Sequence, residues 1–356
     1  MTALRASAWA LALALASGAC LAAGFVDVLD TPAQLSPLAS RSLMQAVTKA
    51  GKRLIAVGQR GQIVLSDDAG ASWKQASVPV SSDLTSVYFV DEKQGWVVGH
   101  DGVVLHSGDG GATWTLQLDG RRANALLVAA MKRKVADEPS SGEAKKLLAE
   151  ATRYQEQGPD KPFLDVWFAD AAQGWVVGAY NLIFRTEDGG KTWEPWFDRT
   201  DNPKFFNLYA IRPAAGELYV AGESGTVLKL DRAAKRFKAV AVPYEGSFFG
   251  VADAGSAVLV YGLRGTVYRS DDGGATWAKV DAGLPASVVA SARTSRGATL
   301  LADTGGRVVR TTDGGRTFSK ATLQQAVPLA GIVEVGGERV ALAGPRGIAV
   351  SAFAAR

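Results

Sequence analysis

The sequence predicts an all-β, seven-bladed β-propeller, and three observations predict it. A short pattern, Ser/Thr-x-Asp-x-Gly-x-Thr/Ser ending on an aromatic residue, recurs five times at a spacing near forty residues. A Gly-x-x-Gly turn or close variant, flanked by apolar strands, recurs seven times in phase with it. Finally, 47% of the 356 residues are apolar, enough for a large core. A fixed period of this size marks repeats that each form one four-stranded blade and bury their faces only against neighbouring blades.

In chain order, residues 1–23 read as a secretory signal peptide. Arg5 supplies a charged start, Ala6 to Ala16 is an apolar run too short to span a bilayer, and small residues follow, with cleavage expected after Ala22 or Ala23. Ser17-Gly18-Ala19-Cys20 also partly matches a lipoprotein site, which would place an acyl chain on Cys20. Cys20 is the one cysteine in the sequence, so no disulfide can form within the chain. Removing the leader takes away Arg5 and leaves a formal excess of three positive charges, 38 basic against 35 acidic residues.

Residues 24–356 are expected to form a single propeller. The short run Phe25-Val26-Asp27-Val28-Leu29 reads as a strand that pairs with residues 347–352 and completes blade seven, closing the ring without an exposed edge. The aromatic-ended pattern reads Ser66-Asp68-Gly70-Ser72-Trp73, Ser107-Asp109-Gly111-Thr113-Trp114, Thr186-Asp188-Gly190-Thr192-Trp193, Ser270-Asp272-Gly274-Thr276-Trp277 and Thr311-Asp313-Gly315-Thr317-Phe318. Its chemistry suits the hairpin between a blade's two outer strands. The carboxylate accepts backbone N–H groups across the turn, glycine takes the positive φ, and the aromatic body is buried between blades. Asp68, Asp109, Asp188, Asp272 and Asp313 are therefore read as structural. Blade four has lost the pattern and runs from Leu230-Asp231-Arg232 to Phe237.

From Trp114 to Trp193 the interval nearly doubles, which places an insertion at residues 120–162 between blades two and three. Ala123 to Ala136 and Glu143 to Gln157 read as helices, the second with Ser140-x-x-Glu143 as a capping box. This hairpin is expected to overhang the propeller mouth as an accessory that deletion of residues 123–157 would leave folded without.

The Gly-x-x-Gly turns and blade-to-blade connections must share the face opposite the Asp hairpins. That face collects Arg60, His100, Asp101, Tyr180, Asn181, Glu223, Arg264 and Arg346 around the channel mouth. Arg60, Arg264 and Arg346 could bind carboxylates through paired hydrogen bonds. Arg121, Arg122, Lys132, Arg133 and Lys134 on the first helix add a basic arm. Together with His100 and Asp101 these are the candidate partner-binding residues; the alternative is a solvated rim.

No catalytic residues are expected. His100 and His106 are the only histidines, and His106 falls mid-strand, where a packed imidazole is the simpler reading. No metal site of ordinary spacing can be built, no cofactor is implied, and the glycine pairs lie in hairpins without a strand-to-helix phosphate cradle. The weak charge excess does not support nucleic-acid binding. The Asp hairpin pattern is similar to that of sialidases, whose chemistry needs an arginine triad, a nucleophilic Tyr and an acidic partner. Arg60, Arg264 and Arg346 with Tyr180 or Tyr261 and Glu223 are the residues such a site would draw on, but Ile211-Arg212-Pro213 does not match that family's Phe/Tyr-Arg-Ile-Pro segment.

Val87-Tyr88-Phe89-Val90-Asp91-Glu92-Lys93-Gln94-Gly95-Trp96-Val97-Val98-Gly99 and Val166-Trp167-Phe168-Ala169-Asp170-Ala171-Ala172-Gln173-Gly174-Trp175-Val176-Val177-Gly178 are near duplicates. The unit Phe-x-Asp-x-x-x-Gly-Trp-x-Val-Gly followed by the Asp hairpin resembles the photosystem II stability/assembly factor propellers of chloroplasts and cyanobacteria. The resemblance implies a seven-bladed, non-enzymatic, exported protein that binds newly made membrane subunits. The expected partner is a membrane-protein subunit or envelope complex, no small-molecule substrate is expected, and the protein is expected to be a monomer in the periplasm. The alternative function is a secreted sialidase-like glycosidase or a carbohydrate-binding propeller.

Overall fold

The computed structural model describes residues 26–354, which form seven antiparallel sheets in chain order, six of four strands and one of three. Blade one sets the pattern, with β1 (Met44–Ala50) innermost, then β2 (Arg53–Gly58), β3 (Ile63–Ser66) and a two-residue outer β4 (Lys74–Gln75). Each strand pairs antiparallel with the next. The β1–β2 and β3–β4 turns therefore share one face, the box face. The β2–β3 turn and the exit to the next blade share the other, the turn face.

Second strands are covered on both sides by neighbouring blades, which is why they read as unbroken apolar runs. Gly95–Gly99 and Gly174–Gly178, the Gly-Trp-Val-Val-Gly duplicates, are buried at every residue. Trp96 lies flat on Phe168 of the next blade, with ring centroids 3.5 Å apart.

Each Asp box closes on itself in the expected way. In blade five the Ser270 hydroxyl donates to Asp272 Oδ1 at 2.8 Å and accepts the Gly274 N–H at 2.8 Å, while Thr276 donates its N–H at 2.9 Å and its hydroxyl at 2.6 Å to the same carboxylate. The box also does something its own spacing does not announce. The carbonyl of its first glycine accepts a side chain from the preceding blade: Arg53 to Gly110 at 3.0 Å, Gln117 to Gly189 at 2.9 Å, Lys229 to Gly273 at 2.9 Å and Arg269 to Gly314 at 2.7 Å. A local turn thus becomes a link between blades. Blade four, without a box, keeps a simpler turn in which Asp231 accepts the Ala234 N–H at 2.9 Å, and Phe237 fills the aromatic site fully buried.

Closure does not use the N-terminal strand. Phe25 lies outside the described residues, and Val28–Asp30 form a 3-10 turn capped by Asp27, whose carboxylate accepts the Leu29 N–H at 3.0 Å. Leu29 packs with Ala33, Val78 and Val80 at the exit of blade one, and the last sheet contains only the three C-terminal strands. Blade seven has three strands, Gly331–Gly336, Arg339–Gly344 and Gly347–Ala352. Its junction with blade one is held by side chains instead: Met44, Val47, Leu54 and Ala56 pack with Ala341 and Ala343, and Ile348 and Val350 lie against them. The linker from blade six borders the end of the last strand, where Gln324 N–H donates to Ala352 O at 2.9 Å and Leu323 bridges Phe353.

The insertion is two helices, α1 (Gly120–Asp137) and α2 (Gly142–Gln157), leaving blade two on the turn face. Asp119 and Ser141 cap them, so the second cap is Ser141 and not Ser140. The hairpin is no removable overhang. Ala123, Leu127, Met131, Leu147, Ala151 and Tyr154 belong to one apolar cluster with Val98, Phe163, Leu182 and Phe197 of blades two and three. Tyr154 meets Phe197 edge-on at 6.0 Å and donates its hydroxyl to Tyr180 O. Deleting residues 123–157 would uncover that cluster.

The box carboxylates predict a pH dependence. The Ser72 hydroxyl and N–H, with Ser66, lower Asp68 from 3.8 to about 2, and the same groups around Asp272 and Asp313 lower these too. A carboxylate whose folded pKa lies below its unfolded one stabilises the fold above the unfolded pKa, and that stabilisation is lost as pH falls through the folded one. Thermal melts should therefore show a Tm that is steady near neutrality and drops between about pH 4 and pH 2. Changing Asp272 and Asp313 to Asn should lower Tm at neutral pH and flatten that drop.

Candidate functional site

The turn face carries a repeated piece of backbone strain. The second residue of the turn is left-handed in five blades: Arg60 (φ 54°), Asp101 (57°), Tyr180 (53°), Ser224 (51°) and Arg264 (54°). Non-glycine residues seldom occupy this region, and it persists only where surroundings enforce it. Here the enforcing group comes from the linker to the next blade. Arg60 N–H donates to Asp83 Oδ1 at 2.7 Å, Tyr180 N–H to Asn207 Oδ1 at 2.9 Å and Arg264 N–H to Ser287 Oγ at 3.2 Å. The backbone is tied down while the side chain at that position points into solvent, as it does at Arg60, Tyr180 and Arg264, all exposed.

The expected arginine rim divides. Arg60 and Arg346 sit on adjacent blades one and seven, whereas Arg264 stands on blade five. Among the described residues none of the three enters an ion pair, so their charges face water. They do not converge on one point, and Tyr261 is buried in the channel wall with its hydroxyl donating to Ser291 Oγ at 3.0 Å. Burial pushes that phenol up to about 12. Tyr261 is thus committed to the channel wall, while Tyr180 is exposed on the turn face.

The basic arm of α1 is partly spent inside the molecule. Arg121 forks onto Asp30 at 2.9 and 2.8 Å and reaches Asp27 at 2.8 Å, pinning the N-terminal segment to the insertion; both carboxyls are lowered, Asp27 first by the Leu29 N–H and Asp30 first by Arg121. Lys134 bridges Glu138 and Asp198, and Arg122 donates to Gln117 O. Lys132 and Arg133 remain exposed, as does His100, and Asp101 is half-buried. His106 packs on Trp96 with its Nε2 2.9 Å from Gln94 Oε1, and burial lowers its pKa.

The channel itself supplies residues that the spacing analysis missed. A cavity of about 200 Å³ runs between the inner strands, lined near the turn face by Gln45, Thr85, Leu164, Tyr209, Phe249 and Val289. Tyr209 and Phe249 meet edge-on at 5.5 Å. Deeper in, buried Asp165 accepts from Arg212 Nη1 at 2.6 Å, the Ser86 hydroxyl at 2.7 Å and the Ile211 N–H at 2.8 Å. The sequence did contain the signal: an acid and an arginine stand within otherwise apolar inner strands, Phe163–Phe168 and Leu208–Ala214. Beside the mouth, α2 and the exit of blade three enclose a second cavity of about 470 Å³ with Lys146, Leu147, Phe197 and Phe205 in its wall. No group of three or more His, Cys, Asp or Glu that could hold a metal occurs among the described residues.

A family model described as photosynthesis system II assembly factor YCF48 matches residues 36–137 and 150–306. The chain belongs to this family. The photosystem II assembly lipoprotein Ycf48 of Synechococcus sp. (strain CC9902) is 29% identical over 118 residues, which is 32% of this chain and 35% of that protein. The match thus spans about a third of that relative's length. Among solved structures, YCF48 bound to a D1 peptide superposes with a TM-score of 0.62 at 15% identity, over 91% of this chain and 96% of that one. Streptogramin B lyase superposes with a TM-score of 0.64 at 12% identity, over 88% and 95%. At such identities the likeness shows the fold alone, and the YCF48-type propeller shares its shape with a lyase.

Within this YCF48-family fold the Asp165–Arg212 pair is a structural bond across the channel wall between blades three and four. Asp165→Ala would strand the Ser86 hydroxyl, the Ile211 N–H and one guanidinium charge. Urea unfolding should show a loss of about 3 kcal/mol, with Arg212→Met in the same background recovering part of it.

Proposed function

We propose that this chain is an exported, non-catalytic assembly factor that holds an extramembrane segment of a membrane-protein subunit against its turn face. The observation that carries the reading is the mouth itself. An aromatic lip of Tyr209 and Phe249 opens a cavity on a face where the left-handed turns aim Tyr180 and Arg264 at solvent and the helical hairpin forms a wall. Aromatic anchors beside exposed guanidinium groups suit an extended peptide with carboxylates, because ring burial gives affinity and paired hydrogen bonds give register. Membership of the YCF48 family supports a subunit of a photosystem II-type complex as that partner, and the relative solved with a D1 peptide supports a peptide as the bound form.

Export through the leader at residues 1–23, with Cys20 as a lipid attachment point, fits the relative named a lipoprotein; both lie outside the described residues. The factor works as a monomer and binds neither nucleic acid nor a small-molecule substrate. The glycosidase alternative gains no support from Tyr261, which is buried in the channel wall with its hydroxyl held by Ser291.

Affinity capture from detergent-solubilised native envelope tests the reading. The wild-type chain should retrieve a membrane-protein complex, and Phe249→Ala with Arg264→Glu should weaken retrieval about tenfold while leaving the melting curve in place. Undiminished capture by that variant would remove the mouth as the docking site.

A further inference from the structure

Five large apolar side chains are exposed on the described surface; Leu116 and Tyr180 stand apart, and the other three lie together. Val26, Leu35 and Leu38 are 63%, 67% and 57% exposed, and all three lie on the stretch leading into blade one. Single exposed leucines need no explanation, but a concentration on one short segment does. This segment is held in place. Ala33 N–H donates to Val78 O at 3.0 Å, Ser36 N–H to Gln75 Oε1 at 2.8 Å, Gln75 Nε2 to Gln34 O at 3.0 Å, and Ala39 is buried between blades one and seven. Its leucines are therefore presented by a fixed backbone.

Arginines accompany them. Arg41 is exposed and its backbone abuts Gly347, next to exposed Arg346; Leu43 O accepts the Gln59 N–H, which sets the Arg60 turn beside the same stretch. None of Arg41, Arg60 and Arg346 enters an ion pair, and the carboxylate at hand, Asp83, faces the Arg60 backbone. Apolar side chains fringed by unpaired arginines match an acidic lipid surface, where rings of charge meet head groups and short aliphatic chains reach the acyl boundary.

The course of the chain points the same way. Val26 stands beside the Arg121 clamp on the turn face. Cys20 and Val26 are six positions apart, a reach of at most about 20 Å. We propose that the segment from Val26 to Arg41 is a membrane-surface contact, with Leu35 and Leu38 entering the head-group layer and Arg41, Arg60 and Arg346 meeting acidic lipids. The propeller then stands with its turn face toward the bilayer from which a subunit's segment emerges. This rests on the envelope location proposed above, but its test involves no protein partner and so fails or succeeds separately.

The chain from Gly24 contains every described residue and no cysteine, so Leu35→Cys, Leu38→Cys and, on the box face, Asp271→Cys each accept a single environment-sensitive NBD label. Each labelled protein is tethered through an N-terminal hexahistidine tag to nickel-chelating lipid in phosphatidylcholine/phosphatidylglycerol vesicles. Labels at 35 and 38 should brighten and shift to the blue, the label at 271 should not, and Arg41→Glu, Arg60→Glu and Arg346→Glu together should abolish the change. Unchanged emission at 35 and 38, or an equal shift at 271, would overturn the proposal. Circular dichroism of each variant separates either result from misfolding.

Discussion

The glycine carbonyl at the tip of the Asp boxes of blades two, three, five and six is the constraint on which the ring depends. A carboxylate that satisfies a hydroxyl and N–H groups within its own hairpin leaves that carbonyl pointing outward, and a side chain of the preceding blade takes it. The same turn sets the aromatic residue that fills the space between blades, with Trp114 packed among blade-one and blade-two side chains and Trp193 among those of blades two and three. Because a buried polar group without a partner is costly, a box cannot be altered without loosening both a hairpin and a blade junction.

Blade seven shows what happens where that device is missing. It has neither a box nor a fourth strand, and the ring is completed by apolar packing of its second strand against blade one. The N-terminal segment was read as the missing strand because Phe25-Val26-Asp27-Val28-Leu29 looks β-like by composition. Asp27 decides otherwise, since its carboxylate caps a 3-10 turn locally and Arg121, ninety-odd positions further on, holds it there. Composition cannot reveal a partner so distant. The blade count, the five boxes, the eroded fourth and the position of the helices were all legible because each is a periodic or strongly biased local signal.

The site was legible only in outline. Repeated turns located the proposed binding face, but which of its charges are free depends on tertiary neighbours: Arg121 and Lys134 are taken up by Asp27, Asp30, Glu138 and Asp198, while Arg60, Arg264 and Arg346 are not. Tyr209, Phe249 and Asp165 escaped notice because the channel-lining positions of the inner strands differ from blade to blade, and Arg212 was weighed only within Ile211-Arg212-Pro213. What the blades hold in common is structure, and what they do not share lines the channel. That division explains how one scaffold can serve a peptide-binding protein and a lyase while keeping its frame.

In this protein the box carboxylates build the ring, and the opposite face is the proposed site of binding. Hydrogen-deuterium exchange of the chain, free and bound to the complex it retrieves, tests this most directly. The account predicts added protection at residues 179–181, 205–209 and 247–250 and none at the box turns 68–72, 109–113 and 272–276. Protection confined to those box turns would contradict it.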